Sequence, residues 1–457
     1  MKETNKNSAL FVLCMASFLV PFMGSAINLT LPEMARVFAL GAVSQSWIAA
    51  SYLIATAILQ APFARLADMY GRKRFFISGL AVFGITNLLC GFAQSGAWII
   101  ALRALSGAGS AMMFGTSMAI LVSVFPQNER GKAIGVNTSV VYFALASGPF
   151  FGGMLTQHLG WHSIFFLVGI LGIIAATFAS FILKKEWIEA RGEHFDLAGS
   201  VIYAAGLFCL VFGFSELPDI YAYMLIIAGI AGIVIFAKYE LRQKQPMFDV
   251  RIFSGNKTFS LSSLSALINY ACTFGVAFLM SLYLQYVRGF EPQQAGFILI
   301  AQALVQCVVS FYGGRLSDKY NPSLLATCGM AMLTVGLVAL VFVSATTPLV
   351  WIVLLLVLFG FGFGLFSSPN ANVIMSSVDK RFYGQASATM GTMRLTGQAF
   401  SMGVATMALS LFVGNKLITS DLHDDFMLSF RVTFIIFAVL CAAGTYTSSF
   451  RVKHRSS

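Results

Sequence analysis

The stretch Ala64–Phe76, ARLADMYGRKRFF, breaks into a chain that is otherwise apolar. Arg65, Asp68, Arg72, Lys73 and Arg74 stand together between two long greasy runs. What such a group is for depends on what the runs are. Of 457 residues, 58% are hydrophobic and 10% charged, whereas a soluble domain carries about 25% charge. That much apolar side chain does not fit one water-soluble core. A bilayer span takes about 20 apolar residues. The runs on either side of the stretch meet this requirement, so it reads as a short loop between two membrane helices.

Fourteen such runs are expected, at about 9–32, 44–65, 75–93, 97–124, 133–157, 162–184, 197–216, 221–238, 258–286, 293–314, 323–345, 348–375, 384–414 and 428–450. The first reads as a span rather than a cleaved leader, because no small-residue cleavage site and soluble domain follow it. An even number puts both termini on one side. Lys2, Lys6, the Arg65–Arg74 group, Arg130, Lys132, Lys184, Lys185, Lys238, Arg251, Arg315, Lys319, Lys380 and Arg451 fall on that side, while only Arg36, Arg288, Lys416 and Arg431 fall on the other. Basic loops stay cytoplasmic, so both termini are expected inside. The net charge of +11 is then a topology signal with attraction to anionic lipid, and a nucleic-acid partner is not expected. Cys14, Cys90, Cys209, Cys272, Cys307, Cys328 and Cys441 are scattered singly through apolar runs. They read as small hydrophobes, with no metal-ligand or disulfide spacing.

Asp318, in GGRLSDKYNPS, occupies a setting like that of Asp68: the end of the second apolar run of its half, in a short basic loop. GAWIIALRAL and PLVWIVLLLV follow in matching order. Two related six-helix bundles are therefore expected over 1–190 and 256–457, with a two-helix insert at 191–255. Repeats of this kind suit alternating access to a midplane site.

These residues resemble a known family. ARLADMYGRKR is similar to the loop signature of the major facilitator superfamily. LRALSGAGSA (Leu102–Ala111) resembles its fourth-span signature with an intramembrane Arg, and ASGPFFGG (Ala146–Gly153) its fifth-span antiporter signature. INLTLPEM, PMFDVRIF and GTMRLTGQAFSMGVA resemble segments of the fourteen-span drug:proton antiporters. The resemblance implies an all-α membrane protein of the major facilitator fold that exports small amphiphilic molecules against protons. Ala64, Met69 and Asn321 depart from the signatures, Asn321 at a place where Asn tolerates a left-handed turn. Met23 stands where the first-span motif carries an Asp.

The resemblance assigns a conformational latch to Asp68, with Gly71, Arg72, Arg130 and the second-half Asp318. Asp68 pairs with Arg72 or Arg130, or is a solvated loop charge that only tunes topology. Arg103 and Arg394 lie within spans, where an Arg costs about 2.5–3.5 kcal/mol. Arg103 matches the family's proton-coupling Arg, or is a hydrogen-bond hub. Arg394 faces an anionic or carbonyl-bearing substrate, or braces helices. Gly148, Pro149, Gly152 and Gly153 form a bend and a smooth face that seals an inter-bundle contact and biases the cycle toward export, or are ordinary close packing. No acid falls mid-span. Glu33 and Asp68 are the protonatable candidates in the pathway, and Glu33 also reads as a rim charge. Asn28, Asn137, Tyr142, Asn269, Tyr270, Gln302 and Gln398, with Met23, are candidates for the cavity wall.

No enzyme is expected, for want of a polar cluster at one depth. No cofactor, metal or phosphate-binding Gly-Lys-Ser/Thr loop is read. The expected partners are a small amphiphilic substrate, protons and lipid, the expected state a monomer, and the expected place the bacterial cytoplasmic membrane. Without a first-span acid, substrates are expected to be neutral, zwitterionic or anionic rather than dicationic. A same-fold carrier of a narrower metabolite or lipid-like substrate, not necessarily proton-coupled, is the alternative.

Overall fold

Each apolar run becomes one helix because a backbone in hydrocarbon satisfies its own hydrogen bonds. The structure, a computed structural model, describes residues 6–126, 129–217, 219–243, 246, 250–378 and 383–453. The helices are α1 (Lys6–Val37), α2 (Ala42–Tyr70), α3 (Arg72–Gly91), α4 (Gly96–Val124), α5 (Arg130–Leu159), α6 (His162–Ile182), α7 (Leu197–Ser215), α8 (Ile220–Glu240), a short α9 (Arg251–Gly255), α10 (Lys257–Leu282), α11 (Pro292–Lys319), α12 (Pro322–Val341), α13 (Leu349–Ser376), α14 (Tyr383–Phe412) and α15 (His423–Lys453). Fourteen are long and apolar enough to cross a membrane. A π-helical turn, Tyr283–Val287, continues α10. The expected spans all appear. They run longer at several ends, and α8 extends to Glu240, which is buried.

The same packing pattern occurs twice. α1 packs on α5 and α6, α2 on α4, and α3 on α4 and α6; α10 packs on α14 and α15, α11 on α13, and α12 on α13 and α15. Small residues allow the tightest of these approaches. A methyl at Gly107 of α4 would strike the Tyr52 backbone of α2, and one at Gly360 of α13 the Gln302 backbone of α11. The two sets meet where α5 lies on α11 and α2 on α14. α7 and α8 form a hairpin, and α7 packs on both α2 and α14. Tyr203 of α7 donates to the Ala57 carbonyl at 3.4 Å, and Phe214 stacks edge-on against Phe400 of α14. The hairpin therefore lies along the α2/α14 seam.

One expectation about a turn is corrected. Asn321 is not left-handed. With φ −59° its side chain caps α12 by accepting the Ser323 N–H at 3.0 Å, as a short polar side chain does at an N-terminus.

Candidate functional site

The opening stretch sits where α2 turns into α3, at the end of the molecule that carries the basic loops. Asp68 accepts a bond from Arg72 Nε at 2.6 Å, one helical turn on. Gly71 supplies the turn: its φ is +123°, and a Cβ there would lie 2.5 Å from the Glu186 carboxyl carbon. The segment after α6 then closes over this corner. The Arg72 N–H donates to the Trp187 carbonyl at 3.0 Å, and the Glu189 and Ala190 N–H groups donate to the Asp68 carbonyl at 3.0 and 2.9 Å. Glu186 takes the Lys73 N–H at 2.8 Å and approaches Arg74 at 3.6 Å. Glu193 takes Arg65 at 2.5 Å, and Glu189 lies 3.4 Å from Arg72. Three glutamates of the segment between α6 and α7 thus face the basic cluster. Arg130 does not join Asp68; its Nε donates to the Phe125 carbonyl at 3.0 Å. The side chain of Asp318 lies outside the described residues.

At the opposite end the two helix sets are sealed together. The Ala42 N–H donates to the Lys416 carbonyl at 2.9 Å, and Ser44 bonds Asn415 at 3.1 Å. Thr406 donates to Ser46 at 2.9 Å, and Tyr286 to Gln45 at 3.3 Å. Ser281 donates to the Asn28 carbonyl at 2.7 Å, His158 bonds Gln293 at 3.0 Å, and Gln157 bonds Glu291. Near mid-depth Tyr142 meets Ser367 at 3.1 Å. Among the described residues no hydrogen bond joins the two sets nearer the basic end.

The Gly-Pro signature on α5 divides its work. Gly148 and Gly152 face α1, where a methyl at Gly148 would strike Ser25 Oγ and one at Gly152 would lie 2.8 Å from the Ala26 Cα. Gly153 and Pro149 face α11: a methyl at Gly153 would strike the Pro292 carbonyl, and one at Gly296 the Pro149 carbonyl. Only the second pair belongs to the contact between the two sets.

Between these ends lies a cationic centre. Arg103 of α4 is 1% exposed. Its Nε donates to the Ile48 carbonyl at 3.2 Å, and its guanidinium stacks 4.3 Å from the Tyr52 ring centroid. Its Nη1 has no hydrogen-bond partner. A small cavity is bordered by Arg103, Tyr52, Gly24, Asn28 and Phe274, among others. The Tyr52 hydroxyl bonds Ser110 at 2.6 Å. Arg394 of α14 is half-buried, 5.0 Å from the Phe114 ring centroid, and within Coulomb range of Tyr52 and Tyr270. All described salt bridges lie among residues 6–193, at the basic end, so neither arginine has a described carboxylate.

The profile of the Major Facilitator Superfamily matches residues 13–402 and 263–455. The chain belongs to that superfamily. It is 28% identical over 399 residues to the riboflavin transporter RibZ of Clostridioides difficile, covering 87% of this chain and 86% of that one. It is 31% identical to the cephamycin export protein CmcT of Amycolatopsis lactamdurans, covering 96% and 92%. Other relatives are named multidrug resistance proteins. Its fold is that of a bacterial homologue of the human lysosomal transporter Spinster, solved inward-facing and occupied, with TM-score 0.73 over 99% of this chain and 98% of that chain at 16% identity.

Within this superfamily member the remaining candidates separate. Asn28 borders the cavity. Met23 is fully buried in the apolar core and does not border it; Gly24 does, and a Cβ at Gly24 would meet no atom within 4 Å. Asn269 is fully buried, and neither end of its amide has a hydrogen-bond partner; Asn137 is buried with Oδ1 unpartnered. Tyr270 packs edge-on against Phe363. Gln302 and Gln398 are half-buried. Glu33 lies beside the Gly160–Trp161 turn before α6 rather than in the centre. Sequence reasoning missed Tyr52, whose only signal was a hydroxyl in an apolar run, and the Glu186, Glu189 and Glu193 clamp.

Proposed function

We propose that the chain is a secondary transporter that exports small amphiphilic molecules across the bacterial cytoplasmic membrane in exchange for protons. Its rocking bodies are residues 1–190 and 256–457, and the insert 191–255 rides along the α2/α14 seam. The observation that carries this reading is the Pro149–Gly153 corner seated on Pro292 and Gly296 of α11. It makes the antiporter signature part of the contact that must open and close. The one-sided basic loops support a sealed end that faces outside and termini that face inside. Asp68, Gly71 and Arg72 then act as one corner of the inner latch, with Asp318 its counterpart. With the outer end sealed, Glu186 and Glu189 of the same body and Glu193 of the insert hold that corner away from the second body. Arg103 is the proton-coupling candidate at the centre. Glu33, beside the turn before α6, is the weaker one. The transporter works as a monomer.

The narrower-substrate reading draws support from the relative named a riboflavin transporter and from the small size of the cavity beside Arg103. Reconstitution separates the two. Proteoliposomes with an imposed proton gradient are offered a panel of amphiphilic dyes and antibiotics while internal pH is followed. Drug exchange implies uptake of several unrelated compounds, each with a proton flux that collapses with a protonophore. Uptake of one compound with no proton flux favours the narrow carrier.

A further inference from the structure

The centre of this protein holds two cations and no described anion. Burying a charge without a partner costs several kcal/mol. Arg103 is 1% exposed and has one carbonyl, one aromatic face and an unpartnered Nη1. The cavity at its edge has the Asn28 amide and the Tyr52 ring on its wall, open space over Gly24, and Phe274 as an apolar side. Arg394, half-buried over Phe114, stands beyond Tyr52 toward the end where no described hydrogen bond joins the bundles. Guanidinium groups bind carboxylate in a fork of parallel hydrogen bonds. A cation entering the same space meets two like charges and no compensating acid among the described residues.

We propose that this centre is an acid-group subsite: the carboxylate of an amphiphilic substrate docks on Arg103 beside Asn28 and Tyr52, after attraction past Arg394, and its apolar body lies against Phe274 and Phe114. This rests on the transport reading and narrows it to substrates with a single anionic head. Tyr52 positions the Arg103 guanidinium under its ring, and its hydroxyl is spent on Ser110.

The test uses three probes with one tail: dansylaminoundecanoic acid, its methyl ester, and the analogue ending in trimethylammonium. Binding to the full-length protein is followed by dansyl fluorescence in nanodiscs of phosphatidylcholine alone, so that no anionic lipid competes. The acid is expected to bind at least about tenfold tighter than the ester, as a charge-assisted bond supplies. Arg103→Gln erases that difference and Arg103→Lys keeps most of it. Arg394→Gln reduces it. Displacement by added phosphatidylglycerol would mark the same subsite as one a lipid head group also enters. Equal affinity for acid and ester, or a preference that survives Arg394→Gln and Arg103→Gln together in monodisperse protein, overturns the subsite. Export from inside-out vesicles is read separately: acid-selective binding with no export of any probe leaves the subsite standing and removes the export reading.

Discussion

Asp68 and Arg72 hold each other at 2.6 Å in a part-buried corner, where a local i to i+4 pair contributes on the order of 1 kcal/mol. Asp68→Asn is therefore expected to leave expression and melting nearly unchanged while lowering transport, as the proposed latch role requires. Glu193→Gln, which loosens a bond of the same clamp without touching Asp68, should lower transport less. Equal losses in both would reduce Asp68 to one member of a static clamp. Gly24 carries a second prediction at this scale. Gly24→Asp places a carboxylate in open space beside Arg103 and should shift preference toward a quaternary ammonium dye in vesicle export. Met23→Asp, although it restores the family's motif, puts an acid into a fully packed apolar site and should cut expression. A reversed pair of outcomes would mean that Met23 faces the pathway. The i to i+4 pairing of Asp68 with Arg72 was legible in the sequence because it is local. Its partners from Glu186 to Glu193 were not, since no local periodicity connects the end of α2 to a segment more than a hundred residues on. The identity of position 23 was legible and its facing was not, because a helix buried on most sides carries no polar face to fix its rotation.

α5 makes two contacts that the single Gly-Pro signature does not distinguish. Gly148 lies on α1, inside one bundle, and Gly153 on α11, across the seam. Gly148→Leu should destabilise the bundle by a few kcal/mol through overpacking, seen as lower melting in detergent. Gly153→Leu should leave melting closer to wild type and block closure of the sealed end, seen as slowed export with raised labelling of a cysteine at Gln157. If Gly148→Leu blocks the cycle at unchanged stability, the division between the two faces is wrong. Fourteen spans were legible as elements because length and hydropathy define a bilayer crossing. Ends such as that of α8 were not: Lys238 looked like a boundary, yet the helix continues and buries Glu240. The place of the insert along the α2/α14 seam was also hidden, because an apolar helix facing protein and one facing lipid have similar composition.

At the scale of the molecule, the duplicated packing and the one-sided seal describe a transporter caught with one gate made. Topology is checked by impermeant maleimide on intact cells, on a background without the seven native cysteines. Asp219→Cys and Asp421→Cys, both exposed, should label, and Lys185→Cys should not. Trp187 is unsuited to this test, because it is buried under the Asp68 corner and would stay silent on either side. The two Asp-bearing basic segments raise the expectation of a repeat, and the packing pattern occurs twice; which end is closed was not legible, because both ends carry bond-forming polar residues and only three-dimensional pairing tells them apart. The central claim, that transport requires the Ser44–Asn415 seam to part, is tested most directly by locking it. On the same background, Ser44→Cys with Asn415→Cys is oxidised in inside-out vesicles and export is measured before and after reduction. The account predicts a rapid crosslink that abolishes export and full recovery with dithiothreitol; export that continues at the unlocked rate through a completed crosslink would contradict it.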